Sequence, residues 1–105
     1  MSDHWILNEK HEAVRVDLET WATWFEKGMD NRRVASTHVG GGHISTVFLG
    51  LDHSFGGGAP ILFETLVFGG PLDEEMTRYG TCDEAVAGHA AMVSRAESLL
   101  DGTKS

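Results

Sequence analysis

The chain has 105 residues, with 16 Asp and Glu against 8 Lys and Arg, for a formal net charge of −8. That length makes one domain able to bury a core without staples. Arg32-Arg33 is its only basic cluster, which argues against direct binding to a phosphate backbone, and no apolar run approaches the roughly 20 residues of a membrane helix.

Trp5-Ile6-Leu7 and Ala13 to Val16 read as short strands around a polar turn at Asn8 to His11. Asp17 is the expected N-cap of a helix that carries Leu18, Trp21, Ala22 and Phe25 at helical spacing, with Lys27 and Gly28 as its stop. Val34 to Val39, His43 to Leu51 and Ile61 to Phe68 are rich in β-branched and aromatic residues and bounded by glycine, which predicts strands. Glu74 to Tyr79 is charged enough to be an edge strand. Thr81 and Glu84 fit a capping box that opens a final helix. Its apolar stripe is Ala85, Val86, His89, Val93, Ala96 and Leu100, with Met92 beside it and Gly102 as the stop.

The expectation is an α+β fold: an antiparallel meander of three to four central strands, plus a short N-terminal strand pair, packed with two helices. Residues 1–102 form the single domain and 103–105 a frayed tail. The strands from His43 and from Ile61 carry large apolar residues on both alternating faces. Two short helices leave one such face uncovered, so a homodimer or a docking partner is expected there.

In a meander, the glycine turns on either side of the His43 strand lie at its opposite ends. His38 and His43 then share one end, with Asp52 and His53 at the other, and the four cannot hold one ion within a chain. His38 and His43 could meet as a pair, but structural zinc usually takes four ligands and catalytic zinc three. They are weak metal candidates, and no metal or cofactor is expected. His4 and His11 read as surface residues. His89 points toward the sheet, either as a core imidazole satisfied by one hydrogen bond or as partner to an inward Glu64, which would be a weak acid/base candidate. Cys82, the single cysteine, lies near a helix N-terminus, where the dipole lowers a thiol's pKa, but no base is assignable beside it.

Asp52-His53-Ser54-Phe55-Gly56-Gly57-Gly58 leads into a strand rather than a helix N-terminus, so the phosphate-loop reading fails on context. An eight-residue hairpin loop (Asp52 to Ala59) remains, with Phe55 either a plug on the sheet end or an anchor for a partner. Asp52, His53 and Phe55 are the candidate binding loop.

Taken together, WILNE, STVFLGLDHSFGGG, LFETLVFGG and EAVAGHAAMV resemble short proteins encoded by actinobacterial bacteriophages and some of their hosts, a group without an assigned activity. The likeness spans nearly the whole chain, though relatives tend to be more proline-rich where this loop carries Gly56-Gly57-Gly58-Ala59-Pro60. It implies a small accessory protein in the cytoplasm of the infected host, where the lack of a basic start and apolar centre in MSDHWILNEK also places the chain. The favoured expectation is a non-enzymatic, acidic and dimeric binding module on a host protein with a basic surface, acting in host takeover or anti-defence. A small enzyme or ligand-binding protein using the Glu64 and His89 pair with His53, and a minor virion component, are the alternatives.

Overall fold

A computed structural model describes residues 4–28, 31–54 and 58–103. It shows the α+β fold, in the order β1 (Trp5–Leu7), β2 (Ala13–Arg15), α1 (Leu18–Glu26), β3 (Arg33–Val39), β4 (Gly42–Phe48), β5 (Phe63–Phe68), β6 (Met76–Tyr79) and α2 (Cys82–Thr103). β1 and β2 pair as a separate two-stranded sheet, and β3-β4-β5-β6 form an antiparallel meander. No helix among the described residues is long and apolar enough to cross a membrane.

Local chemistry sets the element ends. The Asp17 carboxylate accepts the Thr20 N–H at 2.8 Å and starts α1. Thr81 and Glu84 close the capping box of α2, with Glu84 N–H donating to Thr81 Oγ1 at 3.1 Å and Thr81 N–H to Glu84 Oε1 at 3.2 Å. Gly40 and Gly41, at φ 51° and 82°, make the two-residue turn whose twist suits a hairpin.

Several boundaries differ from expectation. β4 stops at Phe48 rather than Leu51, because Gly50 at φ 79° turns the chain away. Trp5 N–H then bonds the Gly50 carbonyl at 2.8 Å, and Leu51 bridges His4, which ties the small sheet to the large one. The link from β4 to β5 is therefore longer than an eight-residue hairpin loop. β5 starts at Phe63 rather than Ile61, and β6 at Met76, since Glu74 at φ 73° belongs to the turn. α2 continues past Gly102 to Thr103, and the last two residues of the expected tail lie outside the described residues.

α2 lies across all four strands of the large sheet. It packs on the face carrying Ile44, Thr46 and Phe48 from β4 and Phe63, Thr65 and Val67 from β5, all 3% exposed or less. α1 sits at one end, where Trp24 meets Phe48 edge-on at 5.6 Å. The apolar core is two clusters. Val39, Ile44, Val67, Leu72, Met92 and Ala96 gather at the hairpin end. Leu7, Phe48, Leu62, Phe63 and Ala85 gather at the other, with Trp24 and Tyr79 against them. Val86 is not in the stripe; it is 53% exposed, one residue off the 85, 89, 92, 96 rhythm that faces the sheet.

Candidate functional site

Between the two apolar clusters runs a row of polar side chains drawn from every strand of the sheet. His89 of α2 places Nε2 2.8 Å from Thr37 Oγ1 on β3 and Nδ1 2.7 Å from Thr46 Oγ1 on β4. Thr46 Oγ1 is 2.5 Å from Thr65 Oγ1 on β5, and Tyr79 on β6 donates its hydroxyl proton to Thr65 Oγ1 at 3.0 Å. Thr46 and Thr65 are fully buried and His89 is nearly so. With Tyr79 donating at one end, Thr65 donates in turn to Thr46 and Thr46 to His89 Nδ1. The imidazole then donates from Nε2–H to Thr37, which assigns its tautomer from the network.

Burial holds the His89 pKa below the ordinary histidine value, and the nearby His43 adds to the depression. The unfolded chain therefore binds this proton more readily than the folded one. The histidine's contribution is fully present above the ordinary histidine value of about 6.5 and falls as pH drops from there toward the folded-state value. Urea midpoints measured from pH 7.5 to 5 should decline in wild type, and less steeply in His89→Gln.

Glu64 does not meet His89. Parity along β5 puts Phe63, Thr65 and Val67 against α2, and Glu64, Leu66 and Phe68 on the opposite face. There Glu64 Oε2 accepts from Arg78 Nε at 3.0 Å across the β5–β6 pair. The inward carboxylate is thus corrected to an outward one, and the paired acid/base device is not formed.

No helix among the described residues covers that opposite face. His43, Ser45 and Val47 of β4 share it with Glu64, Leu66 and Phe68, and cross-strand register adds Ser36 and His38 on one side and Met76 and Arg78 on the other. Phe68 is 53% and Met76 46% exposed. His38 and His43 stack with ring centroids 4.4 Å apart and planes at 8°, and Phe68 lies 6.1 Å from His43.

At the far end, the Asp52 carboxylate accepts the N–H groups of Ile61 at 2.9 Å and Ser54 at 2.8 Å. Those bonds, Ile61's first, hold its pKa below the usual carboxylate range. His53 bonds the Ile61 carbonyl through its N–H at 2.9 Å, and its Nε2 is buried without a partner among the described residues. Asp52 is therefore a clamp across the loop base. Phe55 lies outside the described residues. His4 packs edge-on to Trp21 at 5.0 Å, a more committed place than the surface expected of it.

Cys82 also departs from expectation: burial and the adjacent Asp83 push its thiol pKa up, so it is not an activated nucleophile. A cavity of about 480 Å³ opens beside it, with Trp5, Lys10, Ala13, Pro60, Leu62 and Asp83 among its lining residues. No group of three or more His, Cys, Asp or Glu side chains suited to a metal ion occurs among the described residues. Neither a protein-family model, nor a curated protein, nor a solved structure matches the chain.

Proposed function

We propose that this chain is a non-enzymatic binding module, a phage-encoded accessory protein that engages a host protein through the bare face of its four-stranded sheet. The carrying observation is how charge is distributed. Of the 16 Asp and Glu in the chain, Glu64 is the one that falls on the four strands of the large sheet, and Arg78 neutralises it. An acidic molecule thus presents one near-neutral surface on which Val47, Leu66, Phe68 and Met76 are not covered by either helix. Exposed apolar area of this kind marks interaction surfaces. The fitting partner has an apolar patch bordered by basic residues, the patch meeting Leu66 and Phe68 and its border meeting the acidic surroundings.

Capture from host lysate tests this, using wild type, Leu66→Asp, Phe68→Asp and the α2 control Val86→Asp as baits. One host protein, rebuilt with wild type from purified components, should be lost with both sheet variants and kept with Val86→Asp. Its binding should weaken as salt rises. A partner held equally by the sheet variants would remove this reading.

A further inference from the structure

The stacked histidines at the hairpin carry a second inference, distinct from partner docking although it uses the same face. His38 and His43 stand directly opposite each other, one pair out from Val39 and Gly42, which flank the Gly40-Gly41 turn. In a two-residue hairpin the pair next to the turn exchanges its backbone hydrogen bonds. The following pair is then the non-hydrogen-bonded kind, with its Cα atoms only about 4.5 Å apart. The backbone thus holds two imidazoles close together, on a turn stiffened by its own geometry.

Ser36 sets the role of His43. Its Oγ lies 2.6 Å from His43 Nε2. When Nε2–H donates to that hydroxyl, the lone pair is left on Nδ1, and the ring is oriented from behind as metal-bound histidines characteristically are. Two nitrogens bound to one tetrahedral zinc, each about 2.0–2.1 Å from it, lie roughly 3.4 Å apart. Here the rings lie parallel, with centroids 4.4 Å apart and planes at 8°, so the two lone pairs must be turned toward one point, and His38, on an exposed edge strand, can rotate its ring to supply that convergence. Imidazole is a ligand of choice for zinc-like ions.

One hairpin supplies only half of a four-ligand set. A two-fold contact supplies the rest, because it sets a surface patch against its own copy. The neighbourhood suits such a contact. Phe68, beside His43 and 53% exposed, gives each copy an apolar group to bury next to the ion. Two copies at −8 each repel one another, and Asp73 and Glu74 stand on the turn that leaves β5 at this same end. A divalent cation at the contact offsets part of that repulsion.

We propose that His38 and His43 form half of a four-imidazole Zn²⁺ site, and that the same two residues of a second copy complete it. The untagged full chain, stripped of metal, should be monomeric by sedimentation and light scattering. Added Zn²⁺ should double the mass at one ion per two chains, and chelator should reverse it. His38→Ala and His43→Ala should each abolish the doubling, and Ser36→Ala should weaken zinc affinity by about tenfold. All three sites lie on the bare face away from the core, and circular dichroism would verify folding. Zinc bound without a change in mass, doubling that survives both histidine variants, or no zinc uptake would each overturn the proposal. Host-partner capture by metal-free protein is read separately, so the two readings fail independently.

Discussion

His89→Ala is expected to lower the unfolding free energy by about 3 kcal/mol, combining the lost packing of a buried side chain with a buried hydroxyl left without an acceptor. Thr37 and Thr46 each bond an imidazole nitrogen; Thr46 keeps Thr65 but, sealed from water, loses the acceptor of its own proton. Against a total stability of about 5–15 kcal/mol for a domain of this kind, that loss is large enough to follow by urea denaturation at pH 7.5. Thr46→Val keeps the volume but deletes the link between His89 and Thr65, and should lose about 2 kcal/mol. The double variant should lose less than the sum, because both members belong to one network. Additive losses would show that the row is merely four separate contacts.

Gly42→Ala should destabilise by about 2–3 kcal/mol, the range of an overpacked site that backbone must relieve. Gly42 is buried in β4, and a Cβ there would lie 2.7 Å from the Gly69 carbonyl oxygen. The obstacle is another turn's main chain, not a side chain that could rotate away. Gly69 and Gly70, at φ 78° and 72°, let that turn press onto the hairpin. The substitution therefore forces apart the β3–β4 and β5–β6 turns together. Thermal unfolding of Gly42→Ala beside Gly41→Ala separates the causes, since Gly41 has open space around its Cβ position but sits at φ 82°. If Gly41→Ala proved the worse of the two, turn strain rather than crowding would govern this end of the sheet.

The meander, both helices and both caps were legible because their signals are local: glycine turns, β-branched runs, Asp17, and Thr81 with Glu84. Strand parity was harder. LFETLVF has Leu62, Leu66 and Phe68 on one parity and Phe63, Thr65 and Val67 on the other, and the larger count of aliphatic groups pointed to the wrong one. Leu62 is buried, but it precedes β5 and does not report the strand's inner face. Threonine disguised the site, since a hydroxyl in a strand reads as solvent-facing. A usable signal did exist: Thr37, Thr46 and Thr65 fall within three successive strands, and His89 points at the sheet between apolar turns of α2. The uncovered second face was legible because apolar groups on both parities outnumber what two helices can cover. The stacking of His38 on His43 follows from register, which depends on where the turn is centred.

The polar row acts as an index mark for assembly. A helix held to a sheet by grease alone can settle one turn, about 5.4 Å, up or down with similar burial. Here such a slip would carry His89 away from Thr37 and Thr46 and strand their hydroxyls against aliphatic groups. Only one seating matches, so the two apolar clusters need not encode alignment. Each is then free to drift in sequence, exchanging Ile44 and Val67 at one end or Leu7 and Leu62 at the other for side chains of similar volume. A library that randomises either cluster while retaining Thr37, Thr46, Thr65, Tyr79 and His89 should yield far more folded members than one that fixes the grease and varies those five.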